Sequence, residues 1–244
     1  MSTTPVTTST TTFNPNLNEI FEEAFERAGQ EMRSGYDFRT ARRSLNYLLL
    51  EWANRGFNLW TLEQGQISLT PGVAEYDLPS DTVDLAEHVV RTGAGSVSTQ
   101  VDLTISRISI STYASIPNKL SPGRPIQLLV SRNSGQASSA LPLAPDNPKV
   151  TVWPVPNDNT YTLVYWRLRR IKDAGNGNNV VDIPFRFQEA LVAGLALKVA
   201  AKLPSADVTR VQGLKMAYDE AWDLASTEDR DKAPVRFVPR IGPL

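Results

Sequence analysis

The residues able to do chemistry are few. Among 244 residues there is one histidine, His88, and no cysteine. Disulfides, thiolate zinc sites and cysteine nucleophiles are therefore excluded. His88 sits in the strand-like stretch "EHVVR" without a second histidine to share a metal. No serine occupies a G-x-S-x-G turn beside which it could act as a base. It reads as a structural residue. No H-E-x-x-H, phosphate-loop or EF-hand pattern occurs. "GNGNN" is glycine-rich but lacks the phosphate-loop lysine, and it reads as a hairpin loop. Carboxylates remain. Glu19, Glu22, Glu23 and Glu26 recur at helical spacing on one face. Hydrolysis by paired carboxylates needs two such groups roughly 5 to 10 Å apart across a cleft, and the sequence places no second group opposite this face. Arg39, Arg42 and Arg43 form a basic cluster at the start of the following helix. Both clusters read either as solvated or internally paired faces, or as one subunit's acidic face meeting its neighbour's basic face. "RLRR" (167–170) adjoins Trp166, but alternation puts Arg167 and Arg169 on one face and Trp166 and Leu168 on the other. That is a half-buried strand more than a nucleic-acid patch.

The totals narrow the classes further. There are 25 basic and 26 acidic residues, for a net charge of -1, which does not suit a chain that lives on nucleic acid. Hydrophobic residues make up 41%, an ordinary globular share. The Thr-rich start, "MSTTPVTTSTTTFNPN", has neither a basic nor an apolar signal region and is expected to be a flexible lead over 1–13. The longest apolar run, "ALVAGLALKVAAKL", is interrupted by Lys198 and is shorter than the roughly 20 residues that span a bilayer. A soluble chain with no membrane contact and no cofactor is expected.

The elements that position these groups follow from periodicity. Asn16 and Glu19 form a capping-box pair. Behind them Leu17, Ile20, Phe21, Ala24, Phe25 and Ala28 mark a helix that Gly29 can stop. A second helix is expected from near Asp37, with an apolar stripe of Ala41, Leu45, Leu48, Leu49 and Trp52 and Gly56 as its stop. Strand signals take over in "QISLTPGVAEYDLP", whose Pro71-Gly72 has type II turn character. They continue through "DLAEHVVR", "VDLTISRI", "PIQLLVSR", "KVTVWPV" and "YTLVYWRLRR". "STYASIPNK" reads as a short helix or turn. A third long helix is expected from Asp182 and Pro184 onward. A fourth is capped by Ser205 and carries the stripe Val211, Leu214, Tyr218, Ala221, Trp222 and Ala225.

The expected fold class is α+β. Helical hairpins from the two ends (14–60 and 182–230) pack as a four-helix bundle, with an antiparallel β domain (61–181) inserted between them. The small residues around Gly194 would let helices approach closely within or between subunits. The segment 231–244 carries Val235, Phe237, Val238, Ile241 and Leu244 among Arg236, Arg240 and three prolines. Such an extended apolar arm can dock into another protein or fold back on its own domain.

Taken together, these stretches resemble a known family. "RSLNYLLLEWANRGFNLWTLEQGQISLTPGVAEYDLP" (43–79), "RISISTYASIPNKLSPGRP" (107–125), "VTVWPVPNDNTYTLVYWRLRRIKDAG" (150–175) and "DIPFRFQEALVAGLALKVAAKL" (182–203) are similar to bacteriophage head-to-tail adaptors of short-tailed phages. Ile110 departs from the second basic residue usual there. The resemblance implies a non-enzymatic virion protein at the head-to-tail junction. It implies a ring, commonly of twelve copies, with the helices as the wall of a DNA channel. The β region would face the tail nozzle or fibres, and the C-terminal arm (Val235, Arg236, Phe237, Val238, Arg240, Ile241, Leu244) would reach the portal protein. DNA would pass without sequence-specific binding. Glu19, Glu22, Glu23, Glu26, Arg39, Arg42, Arg43 and Gly194 are then the inter-subunit candidates. The alternative is a tail-associated module that binds a host surface ligand as a monomer or trimer.

Overall fold

The computed structural model describes residues 13–55, 59–133, 147–204 and 206–229. The lead up to residue 12, Gly56 as a helix stop, Ser205 as a cap, most of the loop "NSGQASSA", and the arm 231–244 with Val235, Arg236, Phe237, Val238, Arg240, Ile241 and Leu244 lie outside the described residues. The five helices are α1 (Leu17–Ala28), α2 (Gly35–Asn54), α3 (Ile110–Ala114), α4 (Gln188–Ala200) and α5 (Val208–Glu228). The strands are β1 (Leu62–Ser68), β2 (Glu75–Asp77), β3 (Thr82–Thr92), β4 (Val101–Thr104), β5 (Ser106–Arg107), β6 (Pro122–Gly123), β7 (Gln127–Ser131), β8 (Lys149–Trp153), β9 (Val155–Pro156) and β10 (Tyr161–Arg169). The chain is α+β and divides into two compact units. One joins both ends of the chain, up to residue 59 and from 171 onward; the other spans 60–170.

In the helical unit, α1 starts on the predicted capping box. The Asn16 side-chain oxygen Oδ1 accepts from the Glu19 N–H at 3.1 Å, and the Glu19 carboxylate accepts from the Asn16 N–H at 2.9 Å. Two donors at the helix start are thereby satisfied. Gly29, at φ 89°, ends the helix, its N–H bonding to the Glu26 carbonyl. α2 begins two residues before Asp37 because Ser34 caps it and Asp37 closes a second capping box. Its predicted stripe, Ala41, Leu45, Leu48, Leu49 and Trp52, is buried.

The third long helix starts later than the sequence suggests. Pro184 is extended, at ψ 153°, and a 3-10 turn, Phe185–Phe187, precedes α4. Because Pro184 is itself extended, no helical turn can start before Phe185, and Asp182 does not cap. Its carboxylate instead accepts from the Lys172 N–H at 3.3 Å. Asp207 caps α5, accepting from the Thr209 N–H at 3.4 Å. α4 is apolar on nearly every side and packs on α1, α2 and α5. α5 buries a single side, chiefly Tyr218 and Ala225.

In the second unit the sheets run β1-β10-β3-β4 and β2-β8-β7-β5. Pairing is antiparallel except at the short pairs β5–β7 and β6–β9. Leu85, Val90, Leu163 and Tyr165 of the first sheet meet Leu128, Val150 and Val152 of the second in one apolar cluster. Two expected single strands divide between sheets. "VDLTISRI" becomes β4 and β5 about the buried Ile105, and "KVTVWPV" becomes β8 and β9. The Pro71-Gly72 turn forms, with the Val73 N–H bonding the Thr70 carbonyl at 3.1 Å and Gly72 at φ 82°. Its flanking strands nonetheless join different sheets: β1 pairs with β10 and β2 with β8.

Candidate interaction surfaces

His88 lies mid-β3, opposite Tyr165 of β10, and is half-buried. Burial lowers its pKa, and the charge of Arg107 adds to the effect against Glu87 and a backbone bond at Ile105. The ring is therefore held neutral in the fold. Its folded pKa lies below the unfolded value of about 6.5, so the fold is favoured above that pH and loses this contribution as pH falls through it. The urea midpoint of the chain, followed by circular dichroism, is expected to fall between about pH 7.5 and 5.5, with a smaller fall in His88→Gln. An equal pH slope in both proteins would remove His88 as the cause.

Glu19 and Glu23 of α1 border a cavity of about 630 Å³ together with Arg27 and Glu189, but each of these carboxylates is already engaged. Glu19 closes the cap, and Glu23 accepts from Arg27 Nε at 2.7 Å. Arg27 then reaches Glu189 of α4 with both terminal nitrogens, at 2.5 and 3.1 Å. Glu189 raises the Arg27 pKa and is itself held below the usual carboxylate range. Glu22 and Glu26 are exposed and unpaired among the described residues. A general acid requires a carboxyl pushed upward. Among the described residues, the carboxyls with a clearly displaced pKa, Glu51, Asp81, Asp102 and Glu189, are displaced downward. Among the described residues no three His, Asp or Glu side chains are arranged to hold a metal ion, and no helix is long and apolar enough to cross a membrane.

The basic clusters part ways. Residues 163, 165, 167 and 169 share one side of β10, so Arg167 and Arg169 continue the inward row begun by the core residues Leu163 and Tyr165. Buried charges need partners, and these are present. Arg167 donates to Asp81 at 2.5 Å and to Glu63 at 2.8 Å, and Arg169 donates to Glu63 at 2.7 Å. Burial opposes the charge on Asp81, but the Arg167 hydrogen bond and charge outweigh it and lower its pKa. Both guanidinium groups are thus withdrawn from any nucleic acid. Arg39, Arg42 and Arg43 are the opposite case: exposed on α2, with no acidic partner among the described residues.

Gly194 is buried inside one chain. A β-carbon there would meet the Tyr218 ring at 2.8 Å and a Leu48 methyl at 3.0 Å. Its neighbours in the described structure are therefore α5 and α2 of the same protomer.

Two exposed rows on the helices carry no motif that marks them in the sequence. On α2, Tyr36, Arg39, Arg43, Tyr47 and Leu50 follow one another at steps of three and four residues opposite the buried stripe. On α5, Met216, Asp219, Glu220, Asp223 and Leu224 follow one another at i, i+3, i+4, i+7 and i+8, opposite the buried Tyr218 and Ala225. The signal was available: each row has helical period, but the buried row on the same helix is longer and more apolar and so takes the eye.

A protein-family model described as SU10 adaptor protein matches residues 15–239, a stretch that runs through both units. No curated protein matches the chain.

Proposed function

We propose, for a chain that belongs to the SU10 adaptor protein family and is thereby a phage structural adaptor, that it works as a ring between portal and tail. About twelve copies, closed by a repeated head-to-tail contact, surround the path of the DNA. The long helices of the helical unit act as one bundle and form the ring wall. The β unit faces the tail nozzle or fibres. The arm at 231–244, with Val235, Arg236, Phe237, Val238, Arg240, Ile241 and Leu244, enters the portal. The protein does no catalysis and needs no cofactor; its place is the head-to-tail junction of the virion.

The family match, which covers nearly the whole chain, carries this reading. The charge pattern supports it. A conduit must let DNA slide, and accumulated phosphate contacts would hold it. The net charge is -1, and Arg167 and Arg169 are occupied by Glu63 and Asp81. Mass photometry of the chain with the portal protein of the same genome tests the proposal. About a dozen copies are expected to add to each portal ring. Deleting 231–244 is expected to leave the circular dichroism spectrum unchanged and abolish the addition. Undiminished addition by the shortened chain would remove the arm from the interface. A full-length chain that ignores the portal would refute the connector.

A further inference from the structure

Two outward faces of the helical unit are complementary in kind. On α2 the exposed row is basic and aromatic. Tyr36 is 65% exposed and Tyr47 62%, with Arg39, Arg43 and Leu50 between and beside them. On α5 the exposed row is acidic and aliphatic. Met216 is 73% exposed and Leu224 70%, and Asp219, Glu220 and Asp223 lie within the same arc of the helix. Neither the arginines of the first row nor those three acids have an ionic partner among the described residues. Side chains of this size are seldom left bare in a continuous row on a lone soluble protein.

The two faces point apart. The buried sides of α2 and α5 converge on one cluster, where Trp52 Nε1 donates to the Tyr218 hydroxyl at 2.9 Å and the Trp52 and Trp222 rings lie 4.9 Å apart. The opposite sides of the same helices must therefore diverge. One protomer cannot bring its own α2 row onto its own α5 row. A second copy can, and its free rows then repeat the offer. Contact between two different patches of identical chains is heterologous, and it closes into a ring where the rotation from one copy to the next divides a full turn. A cleft of 450 Å³ along α5, bordered by Arg186, Ala217, Glu220, Leu224 and Glu228, supplies a hollow for an incoming aromatic ring. Aromatic and Arg side chains seated in such hollows are the usual anchors of an interface.

We propose that the α2 row of one copy, Tyr36, Arg39, Arg43, Tyr47 and Leu50, docks on the α5 row of the next, Met216, Asp219, Glu220, Asp223 and Leu224. The inference rests on the ring reading above and gives that ring its subunit contact. α5, not α1, is the acidic side. Glu19 and Glu23 of α1 are already engaged by the cap and by Arg27, and the outer row of α1, residues 19, 22, 23 and 26, holds acids alone. The row itself carries charge but no apolar side chain, and the exposed Phe13 and Phe185 near it lie outside α1.

Charge swapping tests the pairing. One variant combines Arg39→Glu with Arg43→Glu; the other combines Asp219→Lys, Glu220→Lys and Asp223→Lys. All five positions are exposed, and each variant should keep the wild-type circular dichroism spectrum. Alone, each presents like charges on both faces, and its assembly, free or on the portal, should weaken about tenfold or more. Mixed in equal amounts, the two variants should assemble again, because every contact then joins opposite charges. Glu22→Lys with Glu26→Lys should assemble as wild type does. Variants that assemble normally alone, or a folded pair that stays apart when mixed, would overturn the α2–α5 contact while the wild-type ring stands. Retained assembly with loss of duplex DNA binding in the Arg39→Glu, Arg43→Glu variant would reassign the α2 row to nucleic acid. A wild-type chain that forms no ring either free or on the portal would sink the ring reading itself, and this contact with it.

Discussion

Trp52→Ala is expected to cost about 3–5 kcal/mol, the range for removing a fully buried large aromatic. Trp52 is completely buried. Its ring lies 5.7 Å from Phe187 and 4.9 Å from Trp222, and those two rings lie 5.5 Å apart. One side chain thus ties α2 to α5 and to the 3-10 turn that leads into α4. Removing it opens a cavity among three elements and leaves the Tyr218 hydroxyl without its donor. Trp52→Phe separates the two effects. It keeps much of the volume and loses the 2.9 Å bond from Nε1, for an expected cost of about 1 kcal/mol from the bond together with a smaller packing loss. Guanidinium unfolding followed by far-UV circular dichroism checks both, with the slope unchanged and the midpoint lowered. A Trp52→Ala chain with nearly wild-type stability would mean that the cluster can collapse around the gap.

The sequence made this cluster half visible. Trp52, Tyr218 and Trp222 each stand out as members of a helical apolar stripe, because period 3.6 survives in one dimension. That the stripes meet is tertiary information. Phe187 shows the limit: it sits next to a proline-led turn, and no periodicity marks it as core. The helix start at Asp182 failed for a related reason. Asp followed by Pro two residues later is a good local cap signal, and only the extended conformation of Pro184 itself moves the start to Gln188. The antiparallel sheets were readable as alternation, yet alternation does not say which strands pair. β1 and β2 flank a real Pro-Gly turn and still part into separate sheets.

The interaction surfaces were less readable still. A row of exposed Tyr and Arg on α2 has meaning only once the opposite side of the helix is known to be covered. Arg167 and Arg169 illustrate the converse. In the sequence they adjoin a tryptophan and could be a patch for DNA. In the fold they extend an inward-facing row, and Glu63 and Asp81 hold them there. Their β10 parity was legible, but the carboxylates come from β1 and from the turn before β3, over 80 residues away in sequence for Asp81 and over 100 for Glu63.

Gly194→Leu is expected to abolish folding of the helical unit, and the cause is the packing of one protomer. A β-carbon at 194 would stand 2.8 Å from the Tyr218 ring and 3.0 Å from Leu48. Neither neighbour can step aside. Leu48 is fully buried, and the Tyr218 ring is held by the Trp52 bond and lies under the Arg55 guanidinium at 5.0 Å. Gly194→Ala must therefore push α4 away from α2 or α5. Overpacking costs about 1–3 kcal/mol, and relief of the helical glycine returns up to about 1 kcal/mol. A net loss near 1–2 kcal/mol should appear in guanidinium unfolding. Leucine adds three more carbons to the same closed space, and the expected loss approaches the whole stability of a domain, about 5–15 kcal/mol. The distinction matters for assembly. If Gly194→Leu fails to form rings, unfolding accounts for it, and circular dichroism of the monomer will show the loss. A Gly194→Leu chain with a native spectrum and no rings would place this glycine at the subunit contact instead, and α4 would then have to face a neighbour that the buried packing of one protomer leaves no room for.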